Sequence, residues 1–183
     1  NPGGPGGSGV WYVGYFNPAG LENYDIVGWD PRGVGHSTPV TCFGKDDLDH
    51  YFSMDSSPDD PNELQARIDE QIKFGQSCLE KSGSLLEHVS TMDTVRDLDL
   101  LRQLSGDVKI NYFGSSYGTK IGALYAQLYP QRVGRMVLDG AVNINSRSRV
   151  TQVQGFERAL HHFATWCAQS QCRMGSRSDD VLA

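Results

Sequence analysis

The spacing of apolar and polar positions changes several times along the chain, and each change marks an element. NPGGPGGSG (1–9) has no apolar rhythm and reads as a loop. VWYVGYFNPAG (10–20) is apolar, but Gly14, Pro18 and Gly20 interrupt it, so it supports a short helix at most. YDIVGWD (24–30), closed by the turn PRGVGHSTP, predicts a buried strand. Residues 43–61 are polar and irregular. From residue 61 to 83, Leu64, Ile68, Ile72 and Leu79 recur near helical spacing in a charged background, predicting an exposed amphipathic helix. In STMDTVRDLDLLRQLSG (90–106), Val95, Leu98, Leu101 and Leu104 form one stripe. Ser90 or Thr91 can cap that helix, Asp93 places negative charge in its first turn, and Gly106 ends it. VKINYFG (108–114) predicts a strand, TKIGALYAQLYP (119–130) a helix stopped by Pro130, VGRMVLDGAV (133–142) a strand, and VTQVQGFERALHHFATWCAQ (150–169) a helix. Strands alternating with helices imply the α/β class, with a mostly parallel sheet and helices on both faces.

Composition narrows the classes. With 183 residues, 38% hydrophobic and 21% charged, the chain can bury one core. It has no apolar run of about 18 residues, so no membrane span is expected. A net charge of −6 without a basic stripe argues against a nucleic-acid partner, and RMGSRSDD is short and mixed in sign, a solvated face. The chain opens at Asn1, without a leader, inside a glycine-rich turn that calls for a preceding strand. It is therefore read as an internal fragment of a longer protein. No Cys or His spacing suggests a metal site. Cys42 and Cys78 flank a polar insertion that a staple would stabilise, and Cys167 and Cys172 sit across a local turn. Two disulfides are expected in preference to four free thiols, and hence an exported protein, secreted or held at the cell surface or in the periplasm.

Gly114-Ser115-Ser116-Tyr117-Gly118 fits G-x-S-x-G with Ser116 at its centre. In a chain with 21 glycines the pattern alone is weak, so its context decides. Ser116 lies where a strand turns into a helix, at the carboxyl edge of a parallel sheet, where ligands bind. A serine presented there needs a sharp turn flanked by small residues, and Gly114 and Gly118 supply them. Tyr117 N–H is then the natural first oxyanion donor, aided by the helix dipole. The bland alternative is a glycine-rich β-α turn with an ordinary N-cap serine.

GPGGSG (4–9) also fits G-x-G-x-x-G, with Asp30 ending a strand about 20 residues later, the pattern of a dinucleotide-binding Rossmann domain. Pro2 and Pro5 remove N–H groups that a phosphate cradle would use, and the following segment is a poor crossover helix. A hydrolase uses such a loop to aim a backbone N–H at the oxyanion.

Taken together, NPGGPGGSG, YDIVGWDPRGVGHSTPVTC, NYFGSSYGTKIGALYAQLYP and RMVLDGAV resemble the α/β-hydrolase family of proline iminopeptidases and secreted actinobacterial tripeptidyl aminopeptidases. The four blocks stand in that family's order, and WCAQSQC is similar to the start of its cap. The resemblance implies an α/β-hydrolase fold, with 1–145 a partial core and 146–183 the start of a helical cap. It further implies an exported, cofactor-free serine exopeptidase that removes short N-terminal peptides, or a residue adjacent to proline, from peptides with a free N-terminus. Ser116 would be the nucleophile, with the oxyanion hole from Tyr117 and the Gly3-Gly4 turn; Asp30 to Gly33 would organise the floor of the site. From the residues themselves, Arg32 reads only as a structural ion-pair partner and His36 as a surface residue. A general esterase, or a hydrolase-fold binding domain without chemistry, are the alternatives.

In this fold the triad runs Ser, then Asp or Glu, then His. Asp139 followed by His161 and His162 satisfies the order. Both histidines, however, share a helix with Phe156, Leu160, Phe163 and Trp166, which reads as cap or packing surface, and Asp139 suits its own turn. His88 precedes a helix cap and reads as exposed. The acid and base are therefore expected beyond Ala183, and the fragment alone is expected to be inactive.

Overall fold

A computed structural model describes residues 1–145, 150–170, 172–175 and 177–182. Contacts divide the chain into two compact units, Asn1–Ile144 and Asn145–Ala183. In the first, α1 (Gly9–Val13), α2 (Lys45–Ser53), α3 (Pro61–Ser82) and α4 (Thr91–Leu104) precede β1 (Ile110–Ser115), α5 (Tyr117–Leu128) and β2 (Val133–Asp139). β1 and β2 are parallel, with Phe113 opposite Val137 and Ser115 opposite Asp139. In the second unit, Cys167 near the end of α6 (Val150–Gln169) is bonded to Cys172, and α7 (Ser178–Leu182) follows.

The core of the first unit forms where α4, β1 and α5 meet. Val95 and Leu98 from α4, Tyr112 from β1, and Ile121 and Tyr125 from α5 are buried together, with Met136 and Leu138 of β2 packed against them. α4 bears the predicted stripe only in part, since Leu104, in its last turn, is 75% exposed. Ser90 is the cap, accepting Asp93 N–H at 3.2 Å. α3 begins at Pro61 under an Asp60 cap, and its apolar positions Leu64, Ile68, Ile72 and Leu79 are all exposed, as an amphipathic surface helix predicts. The Cys42–Cys78 disulfide ties the loop before α2 to α3. Ser77 Oγ donates to Cys42 O at 2.8 Å beside it, and Phe43, Tyr51 and Phe74 pack edge-on and stacked.

Two expectations need correction. Residues 24–30 form no strand: Val27 is 72% exposed and no β-pairing involves the run. Ladder bonds need a neighbour about 4.8 Å away. Here the run faces the free edge of β1 across a groove of about 560 Å³, lined by Ile26, Val27, Ile110 and Phe113 among others. Residues 45–53, read as irregular, are helical; two acids in the first turn, Asp46 and Asp47, favour the helix dipole there. Smaller shifts follow from packing: β2 ends at Asp139, and α5 starts at Tyr117, directly after the turn.

The core also buries a charge. Asp99 on α4 accepts from Arg102 Nε at 3.0 Å, Tyr125 Oη at 3.0 Å and Gln103 Nε2 at 2.8 Å, and pairs with Arg132. Burial pushes its carboxyl pKa up, but the hydrogen bonds from Arg102, Tyr125 and Gln103 outweigh it and hold the carboxyl below its usual range. A carboxyl depressed in the folded state stabilises above its unfolded pKa, near 4, and that stability is lost as pH falls through the folded value. Asp99→Ala is therefore expected to cost roughly 3 kcal/mol at neutral pH by leaving the partners unpaired. Thermal unfolding as a function of pH should show the difference from wild type shrinking below about pH 4.

Candidate active site

Strand β1 delivers the chain to Ser116 with φ 52° and ψ −121°. A non-glycine residue in that region is strained and is kept only when its surroundings over-determine it. Here Ser116 N–H donates to Asp139 O of β2 at 2.8 Å. Thr119 Oγ donates to Ser116 O at 2.6 Å and accepts Val142 N–H at 2.9 Å, joining the turn to the segment after β2. Beneath the turn lies the Tyr112 ring, its hydroxyl donating to Gly118 O at 2.8 Å. A Cβ on Gly114 would sit 2.6 Å from that ring and 2.6 Å from Gly118 O, and one on Gly122 2.8 Å from the ring. Gly114 is therefore demanded by the Tyr112 ring and the Gly118 carbonyl, Gly122 by that ring and Leu138, and Gly118 by the Asn1 carbonyl, 2.6 Å from where its Cβ would lie. Ser116 is exposed and makes no side-chain cap bond to α5, so its hydroxyl is not committed to capping the helix.

The glycine loop reaches this turn from the other side. Asn1 lies along the free edge of β1, its N–H donating to Phe113 O at 2.8 Å and its carbonyl accepting Ser115 N–H at 3.0 Å. Gly3 then passes so close that a Cβ would lie 2.5 Å from Ser115 O and 2.9 Å from Tyr117 N, at φ 92°. Gly3 N–H donates to Asn1 Oδ1 at 2.9 Å. Of the predicted hole donors, Gly4 N–H and Tyr117 N–H have no partner among the described residues. The Tyr117 hydroxyl shares a 2.7 Å hydrogen bond with Thr91 Oγ at the start of α4. The cavity beside Gly3, Arg32 and Tyr117 is only about 70 Å³, far below the several hundred Å³ of a typical ligand pocket.

Asp30 is buried, and its carboxylate is directed into the loop. Oδ1 accepts Ser8 Oγ–H at 2.6 Å and Val10 N–H at 3.2 Å, and Oδ2 accepts His36 N–H at 2.9 Å. Burial raises its pKa, but the hydrogen bonds from Ser8, His36 and Val10 prevail and hold it below the usual range. An acid so engaged is not presented to a ribose, and α1 after the loop has only five residues. Arg32 forms a bidentate pair with Asp97, at 2.7 and 2.5 Å, and donates to His88 O at 3.0 Å. That ties the loop after Asp30 to α4.

Among the described residues no histidine of Asn1–Ile144 shares a hydrogen bond with Ser116; His36, His50 and His88 are all exposed. In the second unit His161 is exposed and bonded to Glu157 at 3.0 Å. Sequence reasoning missed Asn1, Tyr112 and Thr119. A tyrosine four residues before the serine and a threonine three after it were the available signals.

Residues 1–175 match the model of the alpha/beta hydrolase fold family. The chain is 38% identical to a tripeptidyl aminopeptidase of Streptomyces lividans over 92% of its own length and 33% of that protein. It is 39% identical to the serine protease Hip1 of Mycobacterium tuberculosis, over 96% of the chain and 36% of that protein. To a carboxylesterase B of Mycobacterium tuberculosis it is 37% identical, over 97% of the chain and 36% of that protein. The chain thus spans about a third of the length of these curated relatives.

The strain at Ser116 gives a prediction independent of activity. Ser116→Gly, which tolerates φ 52°, should be more stable than Ser116→Ala by about 1 kcal/mol. Chemical denaturation of the two variants measures it; equal midpoints would mean that the turn stores no strain.

Proposed function

The chain belongs to the alpha/beta hydrolase fold family, and on that premise we propose that the protein carrying it is a serine exopeptidase. It would release short peptides or residues from free amino termini through an acyl-enzyme on Ser116. One observation carries the reading: an exposed serine hydroxyl, uncommitted to capping, on a strained turn between β1 and α5. The names of the peptidase relatives support the substrate class.

In this mechanism Ser116 Oγ attacks the scissile carbonyl while a base accepts its proton. The oxyanion that forms is met by Tyr117 N–H at the start of α5 and by Gly4 N–H from the loop; Gly3, whose own N–H is held by Asn1, provides the close approach. The intermediate collapses, the amine leaves with a proton returned from the base, and water releases the acyl group by the same steps in reverse. A serine hydroxyl is a poor nucleophile without an adjacent base. The base and its orienting acid are supplied, in this reading, by the rest of the protein, and residues 1–183 alone have no turnover.

The second unit we read as the start of a helical cap, with residues 1–145 as the partial core. Phe156, Leu160, Phe163 and Trp166 of α6 are all exposed, an apolar face suited to a peptide substrate. The small cavity at Gly3 and Tyr117 supports placing the specificity pocket elsewhere. The two disulfides support an extracytoplasmic setting, secreted or at the cell surface. The carboxylesterase relative favours a second reading, an esterase using the same serine.

In the full-length protein, peptidyl anilides with free amino termini should be cleaved and amino-blocked versions rejected. Blocked peptides or simple esters turned over equally well would replace the exopeptidase by the esterase. A fluorophosphonate probe should label Ser116 and leave Ser115 unmodified in either case, and Ser116→Ala should abolish both labelling and turnover.

A further inference from the structure

The oxyanion loop is held at two ends, and the second end hangs on one carboxylate. At its start, Asn1 is bonded to Phe113 and Ser115 of β1. Past the turn, Gly7 N–H returns to Gly3 O at 3.0 Å, so displacement of Ser8 moves the Gly3-Gly4 peptide. Ser8 and Val10 are the two residues that Asp30 binds through Oδ1. Ser8 Oγ also accepts Trp11 N–H at 3.0 Å, so one hydroxyl both caps α1 and donates to Asp30. The other oxygen is fixed by His36 N–H, and a Cβ on Gly35, at φ 51°, would lie 2.3 Å from it. The carboxylate is thus wedged between the loop and the 33–37 turn, which Arg32 in turn anchors to Asp97 on α4.

We propose that Asp30 is a positioning residue for the oxyanion hole: its carboxylate, through Ser8 and Val10, sets where Gly4 N–H points. This rests on the serine-hydrolase reading above. An oxyanion donor acts only if it is already in place when charge develops, so a loop freed at one end loses transition-state stabilisation while ground-state binding is little affected.

The test uses the full-length protein. Asp30→Asn keeps the side chain's volume but turns one acceptor oxygen into an NH2 that faces an N–H or O–H donor. It should lower kcat on a free-amino peptidyl anilide about ten- to a hundredfold with KM within about twofold. Fluorophosphonate labelling of Ser116 should slow by a similar factor yet still reach one label per chain. Ser8→Ala should act in the same direction more weakly, and the double variant should lose little beyond Asp30→Asn, because the two residues act as one unit. A merely structural Asp30 would reduce thermal stability and the labelled fraction while kcat per labelled site stayed at the wild-type value. That result in Asp30→Asn overturns the inference, and so does the same result in Ser8→Ala should Asp30→Asn fail to fold. Failure of the underlying reading looks different: labelling and turnover would survive Ser116→Ala.

Discussion

The Tyr112 ring beneath the turn is the constraint on which the site depends. Its hydroxyl takes the carbonyl of Gly118, and its edge occupies the volume that a Cβ on Gly114 or Gly122 would need. Gly114 and Gly122 let α5 lie against β1 over that ring, and Ser116, between Gly114 and Gly118, has φ 52°. Remove the ring and the turn has no reason to be tight; add a methyl at Gly114 and ring and carbonyl must both move. Burial pushes the Tyr112 hydroxyl well above its ordinary range, so it is a protonated donor at neutral pH.

Around that turn the chain spends its backbone polar groups unevenly. Ser116 N–H, Ser116 O and Gly118 O are all engaged, by Asp139, Thr119 and Tyr112. Gly3 N–H is engaged as well. Among the described residues Gly4 N–H and Tyr117 N–H have no partner, and they are the pair that the proposed oxyanion hole would use. Satisfying every neighbour makes the turn rigid, and leaving two donors unsatisfied makes it receptive to developing negative charge.

How far the sequence revealed this depended on range. The tight strand-to-helix turn at Ser116 was legible because its determinants, Gly114, Ser116 and Gly118, lie within five residues, and the Ser90 cap and buried Val95 and Leu98 of α4 were equally local. The run 24–30 was misread because an apolar period says only that a segment is fit to pair; whether a neighbour lies within hydrogen-bonding reach is a long-range fact. Helix α2 was missed since KDDLDHYFS has few apolar positions and no side-chain cap, and only its first-turn acids pointed to it. Asp30 shows the same limit. Its distance from the glycine loop suits a ribose ligand or a loop anchor equally, and only the 2.6 Å bond from Ser8 separates the two.

On the proposed serine-hydrolase reading, the same locality explains how nucleophile and base can come from separate parts of one protein. Strain, the close glycines and the N–H groups of the proposed oxyanion hole are all fixed within β1, α5, β2 and the first ten residues, so that reading defines the electrophile's position before any base is in place. A base needs only to reach Ser116 Oγ, which is exposed and not bound as a cap. Geometry at the oxyanion and proton transfer at the hydroxyl are then set by different segments and respond separately to mutation. On that reading a change at Asp30 would misdirect charge stabilisation, whereas a change in the segment bearing the base would leave the turn and its donors as they are.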